Sequence, residues 1–169
     1  MKRWYLFGFI SAVLMSCTSS ETRIVTNKKG KYTINMPPEW DYSLEDLSTR
    51  LYRTRYYGTN YVTGTLFVSM TDSDYESLEE SVINYVGQLK HGFTDYKKIG
   101  DGLTQINGVT TSWHRMKDTD KGTRFVTLQY LMQPKGRKLF VINCSATEGT
   151  FDDFEDDFNK IAFSFKILD

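Results

Sequence analysis

Residues 96–117 read YKKIGDGLTQINGVTTSWHRMK, with Asn107-Gly108 at the junction of two β-rich runs. Asn-Gly accepts the positive φ that both central positions of a tight hairpin turn demand, and is the strongest short hairpin signal a sequence carries. Tyr96–Ile106 and Val109–Lys117 are therefore expected to pair antiparallel. Downstream, a polar turn at Asp118–Gly122 leads into Thr123–Met132, and Pro134–Arg137 turns into the apolar run Lys138–Ala146. Four strands joined by short turns make a meander, and the fold must be built around it.

Upstream, Asn27–Gly30 is a turn between two extended runs, Arg23–Thr26 and Lys31–Met36, and Pro37-Pro38 stops the second. Thr49–Tyr57 and Tyr61–Met70 flank Gly58-Thr59-Asn60, a second hairpin. Ser77 and Glu80 form a capping box, a hydroxyl at the cap with a carboxylate three residues on. Leu78, Val82, Tyr85, Val86 and Leu89 then recur at helical spacing until Gly92, so this helix must lay its stripe on the sheet. A last helix opens at Thr150, with Phe151, Phe154, Phe158 and Ile161 on one face. Its acids Asp152, Asp153, Glu155, Asp156 and Asp157 lie off that face, where they suit the helix dipole. Two amphipathic helices on a mostly antiparallel sheet define an α+β domain.

The order of these elements carries a resemblance. The run Tyr32–Trp40, an extended strand closed by Pro-Pro and then Trp, resembles the opening of the PsbP-like (PsbP/DcrB-type) family. Ile106-Asn107-Gly108 is similar to that family's central hairpin, Gly136–Ala146 to its penultimate strand, and Phe151–Phe165 to its final helix. The resemblance spans residues 23–167. It implies an α/β/α sandwich around a curved, mostly antiparallel sheet, and a binding or assembly factor in place of an enzyme. No motif of functional residues carries over with it.

The N-terminus supplies an address. Lys2-Arg3 precedes the apolar run Trp4–Leu14, and Leu14-Met15-Ser16-Cys17 ends it. A transmembrane anchor needs about 20 apolar residues, which this run does not reach. An ordinary secretory peptide wants a small residue where Leu14 stands. Leu three before, a small residue directly before and then Cys resemble a bacterial lipobox, with Met15 its one unusual position. The expected organisation is a signal peptide over residues 1–16, a short tether over 17–22, and one domain over 23–169. Cys17 would carry diacylglycerol and a further acyl chain such as palmitate, anchoring the chain to a membrane of the cell envelope on the periplasmic or surface side.

Processing would leave 153 residues, ample for one core. It would remove two basic residues and no acid, so 19 bases face 21 acids at a net charge of −2. That balance argues against nucleic acid as a partner. Lipid on Cys17 would leave Cys144 unpaired in an apolar strand, where a thiol acts as a small buried hydrophobe.

The sequence offers little chemistry. His91 sits beside Gly92 at a helix end, where a cation complements the dipole, and His114 stands on the opposite strand face from Trp113 and Arg115. Neither has partners at metal-ligand spacing. Asp118-Thr119-Asp120 has the opening of a calcium loop, yet Gly122, Thr123 and Gln129 occupy positions that would need an acid, Gly and Glu, so a polar turn is expected. The acids at 152–157 are expected to form a solvated helix face. With no G-x-S-x-G, S-x-x-K or H-E-x-x-H, no catalytic residue, metal site or cofactor is expected.

What stands out is Arg50–Tyr57. Alternation sends Arg50, Tyr52, Thr54 and Tyr56 to one face and Leu51, Arg53, Arg55 and Tyr57 to the other. Arg and Tyr are favoured at protein interfaces, so Arg53, Arg55, Tyr57 and Tyr61 are the candidate contacts for a partner protein. The competing account is a strand whose charges merely discourage edge pairing. A second function class is a small-ligand or metal-binding envelope protein with its pocket between sheet and helix. The address is directly testable: Cys17→Ala should move the chain from the membrane pellet to the soluble fraction. Retention of the variant in the pellet would remove the anchor.

Overall fold

The computed structural model describes residues 21–57, 60–134 and 136–168. Strands β1 (Arg23–Asn27) and β2 (Tyr32–Met36) form the opening hairpin, and β3 (Asp41–Glu45), β4 (Ser48–Tyr57) and β5 (Asn60–Asp72) follow. Helix α1 (Leu78–Gly92) leads to the meander β6 (Thr94–Ile106), β7 (Val109–Asp120), β8 (Thr123–Met132) and β9 (Lys138–Thr147), then α2 (Asp152–Phe163) and β10 (Lys166–Ile167). Seven strands make one wholly antiparallel sheet in the order β3-β4-β5-β9-β8-β7-β6. A smaller antiparallel sheet has the order β1-β2-β10. Helix α1 carries the chain from β5, in the middle of the large sheet, to β6 at its far edge. The meander then runs back until β9 pairs with β5.

The central hairpin forms as its sequence dictates, Asn107 at φ 48° and Gly108 at φ 82°. Asn107 does a second job: its amide donates to the carbonyls of Phe165 (2.7 Å) and Phe163 (3.2 Å), fastening the turn to the end of α2. The Ser77 hydroxyl accepts from the Glu80 amide, as a helix cap does, and donates to the Glu80 carboxylate at 2.8 Å. One boundary differs. Asp118 and Asp120 belong to β7, paired with Phe125 and Thr123, so the turn is only Lys121-Gly122 at φ 49° and 81°.

The two faces of the large sheet are covered differently. Facing α2, Leu66 and Val68 of β5, Leu128, Tyr130 and Met132 of β8, and Phe140, Ile142 and Cys144 of β9 form the main core. Phe151, Phe154, Phe158 and Ile161 descend onto it, and Trp40 meets Phe154 and Phe158 edge-on at 6.4 and 5.8 Å between ring centres. Each such ring withdrawn from water stabilises by about 1.5–3 kcal/mol. On the other face α1 sets Leu78, Val82 and Tyr85 on Leu131, Leu139 and Val141, a much smaller apolar contact.

The small sheet is latched by polar groups. The Asn27 amide donates to the carbonyls of Ser48 (3.0 Å) and Glu45 (3.3 Å), while its oxygen accepts from Gly30 N–H at 2.7 Å. The Tyr32 hydroxyl, wholly buried, shares a 2.7 Å hydrogen bond with Thr49. Burial drives its pKa upward against these bonds.

Close approach of α2 depends on Gly64. A Cβ placed there would lie 2.5 Å from a Phe154 ring carbon. Gly64→Ala should therefore destabilise the chain by about 1–3 kcal/mol, read by urea unfolding. Pairing it with Phe154→Leu should recover part of the loss, and no recovery would mean the clash is not the cause.

Candidate interaction surface

The β4–β5 hairpin obeys its alternation, but the two faces meet very different surroundings. Thr49, Leu51, Arg53 and Arg55 face α2. Arg53 Nη1 donates to Asp157 Oδ2 at 2.6 Å, and Arg55 Nη2 lies 3.6 Å from the same oxygen. The Arg55 guanidinium also rests 4.9 Å from the centre of the Phe154 ring. Trp40 Nε1 donates to that oxygen as well, at 3.3 Å. These two arginines, taken from the sequence as contacts for a partner, are thus committed to α2. Asp157, taken as part of a solvated acidic face, is their counter-charge and only 18% exposed.

The opposite face presents aromatics. Tyr56 and Tyr61 pair across the hairpin and are 80% and 71% exposed, with Tyr52 at 38%. Arg50 lies over Phe67, 5.8 Å from its ring centre, at the base of this strip. Helix α1 covers the β8–β9 part of that face and leaves the β4–β5 part open. Of the four expected contacts, Tyr61 lies on this strip. Tyr57 closes β4 opposite Asn60, and its side chain lies outside the described residues. Tyr52 and Tyr56 share this open face with Tyr61, which alternation alone does not reveal, because it separates two faces without saying which of them a helix covers.

Other polar groups of the sheet are mostly matched. His114 is buried beneath α1, its Nε2 hydrogen-bonded to the Tyr96 hydroxyl and its ring stacked on Tyr96. Loss of hydration lowers its pKa, so the ring is held neutral. Lys90, Lys98 and Asp101 share the adjoining cleft, where Lys98 and Asp101 pair at 3.0 Å. On the α2 side, Arg115 grips Glu155 at 2.9 and 3.3 Å above the Phe151 ring, and the Tyr130 hydroxyl donates to Asn159 at 2.7 Å. Trp113 lies against the backbone of Gly100 and Gly102, where an added Cβ would come within 3.1 and 2.8 Å of its indole. Cys144 is fully buried and its pKa is pushed up by desolvation, which makes the thiol inert. Among the described residues no cluster of three His, Cys, Asp or Glu side chains could hold a metal ion.

This geometry has solved counterparts. The cyanobacterial PsbP protein CyanoP from Synechocystis sp. PCC 6803 superposes with a TM-score of 0.58 at 15% identity, over 92% of this chain and 99% of its own. The architecture is the PsbP-like fold. LpqN, involved in cell envelope biogenesis of Mycobacterium tuberculosis, gives 0.62 at 16% identity, over 88% of this chain and 91% of its own. PA94 of Pseudomonas aeruginosa, a protein of unknown function, gives 0.57 at 10% identity, over 82% and 91%. No protein-family model and no curated protein sequence matches the chain. At such identities the likeness is one of PsbP-like architecture, and it leaves the choice of partner to the surface itself.

The Asp157 contacts predict a stability effect. Arg53→Ala should cost about 1–3 kcal/mol in urea unfolding, since it removes a short charge-assisted bond and leaves a sheltered carboxylate with only the more distant Arg55 as counter-charge. A double-mutant cycle with Asp157→Ala should show coupling; strictly additive losses would mean that the pair contributes nothing.

Proposed function

We propose that the chain is a non-catalytic binding or assembly module of a bacterial cell envelope, anchored by lipid on Cys17 and docking a partner protein through the open β4–β5 face. The observation that carries this reading is the exposed pair Tyr56 and Tyr61, set on a hairpin whose arginines are pinned from behind by Asp157. A rigidly backed strip of tyrosines suits a protein interface, because large rings with polar tips gain contact at little entropic cost. The likeness to LpqN supports an envelope setting, as does the lipobox, although Cys17 lies outside the described residues. Among the described residues no helix is long and apolar enough to cross a membrane. Residues 17–22 are a short leash, which keeps the domain near the bilayer and its resident proteins.

A role without catalysis is supported by the chemistry present. The buried histidine is bonded to a tyrosine and held neutral, the thiol is desolvated, and the strongest ion pairs fasten α2 to the sheet.

The test is capture from cells. Full-length chain carrying Tyr56→Ser and Tyr61→Ser together should lose most of a crosslinked partner while its melting temperature stays within about a degree, because neither ring is packed. Undiminished capture by this variant would sink the proposed surface.

A further inference from the structure

Helix α2 packs on β8 and β9, and between its flank and the outer strands β7 and β6 lies a cleft of about 590 Å³. One wall is a stripe of α2, Glu155, Asn159 and Phe163, spaced four residues apart and so about 12 Å long at the helical rise. The opposite wall is Ile99 and Thr104 of β6. The floor is a row across three strands, with Trp113 between Gly102 of β6 and Tyr130 of β8.

The seat of Trp113 is built from missing side chains. A Cβ on Gly102 would lie 2.8 Å from the indole nitrogen, and one on Gly100 would lie 3.1 Å from its six-membered ring. Glycine inside a strand weakens it and marks a bulge or a close approach. Gly100 borders a register shift, which accounts for it, but Gly102 pairs regularly with Trp113, so its place is explained by the indole alone. The ring thus lies low over the sheet and leaves the space above it open. It is half-buried, and Phe163 at the rim of the same cleft is 44% exposed.

The polar groups on the lining are neutral or already paired. Arg115 and Glu155 are its only charged residues, and they satisfy each other at 2.9 and 3.3 Å. The Tyr130 hydroxyl donates to Asn159 Oδ1 at 2.7 Å, which fixes the amide and leaves its NH2 without a partner among the described residues. The Thr104 hydroxyl likewise has none. Neither group is sealed, since the unpartnered side-chain atoms shut off from solvent among the described residues are Arg55 Nε, Arg115 Nε and Gln129 Oε1.

We propose that this cleft binds a neutral sugar ring, a hexopyranose laid on the Trp113 indole with its hydroxyls reaching Asn159 on one side and Thr104 on the other. The C–H face of a pyranose meets the electron-rich face of an indole, while its rim of hydroxyls needs neutral donors and acceptors. The width agrees. Strands β6 and β8 stand two spacings apart, about 10 Å. A pyranose about 5 Å between opposite hydroxyls, with a hydrogen bond of about 2.8 Å at each end, spans about 11 Å. An ion would find no free counter-charge here, and a hydrocarbon would strip the amide and hydroxyl of water without replacing its bonds. The volume holds one or two sugar rings. This inference does not rest on the tyrosine surface of β4–β5, so failure of one leaves the other standing.

The experiment uses the full-length chain in micelles of a detergent without a sugar headgroup. The Trp113 indole N–H resonance, identified by its loss in Trp113→Phe, is followed during titration with methyl β-glucoside, cellobiose, cellotetraose, mannitol and hexanol. The three glycosides should shift it saturably. Mannitol, which has the hydroxyls but no ring face, and hexanol, which has only the hydrocarbon, should leave it in place. Tighter binding of cellotetraose would assign the seat to a glycan chain and equal binding to a free or terminal sugar; either supports the proposal. Gly102→Ala, which pushes the indole from its seat, should abolish the response. Thr104→Val, which keeps the shape and so guards against a folding defect, should weaken cellobiose binding about threefold to tenfold, the worth of one neutral hydrogen bond. A response to hexanol or mannitol equal to that of cellobiose would overturn the proposal, as would silence towards all three glycosides.

Discussion

Asp157 Oδ2 gathers three parts of the chain that are far apart in sequence. Trp40 from the loop after β2, Arg53 and Arg55 from β4, and α2 itself meet at one sheltered carboxylate. Each of these elements has apolar reasons to be where it is, but none of those reasons fixes its angle or register. Hydrophobic burial is non-directional, whereas a carboxylate facing a short guanidinium bond and an indole N–H tolerates little displacement. The carboxylate thus converts a greasy contact between α2 and the sheet into a defined one. It also stiffens the back of β4, whose front is the tyrosine strip.

The two faces of the sheet show how unevenly a fold of this kind distributes its stability. The α2 face is packed with rings and closes around Gly64 and Trp40. The α1 face has three buried aliphatic side chains under the helix and then a polar floor. In α1 itself only Ser81 is fully buried. Elements with few apolar contacts open at lower free energy than the rest of a domain. Helix α1 is held mainly through Leu78, Val82 and Tyr85, in its first half.

Much of the architecture was legible in the sequence, because it is written in local chemistry. The Asn107-Gly108 turn, the Ser77–Glu80 cap and the phenylalanine stripe of α2 act over a few residues, and each formed where expected. What could not be read is set by partners far along the chain. Strand β3 alternates as Asp-Tyr-Ser-Leu-Glu but is only five residues long and exposed at every position, so no buried face marks it out. Strand β10 is two residues long and exists only because Thr33 and Tyr32 lie opposite. The same limit governed the sites. Arg53 looks like an interface residue until Asp157, 104 positions away, turns it inward. Asp118 reads as part of a turn until β8 pairs with it and extends the strand past it. Alternation tells which residues share a face, and only the packed fold tells what the face meets.

The outermost strands of the large sheet have a consequence for behaviour in a crowd. Strand β3 is short and flanked by Asp41 and Glu45. Strand β6 slips register twice, between Thr94 and Lys97 and again between Lys98 and Gly100, with Asp95 at φ 56°. A slipped, charged border offers no regular ladder on which a second sheet could continue. Copies confined side by side on a surface would collide border to border far more often than copies free in solution. Here such collisions meet carboxylates on one flank and a broken hydrogen-bond pattern on the other, so the molecule can be concentrated without polymerising through its backbone.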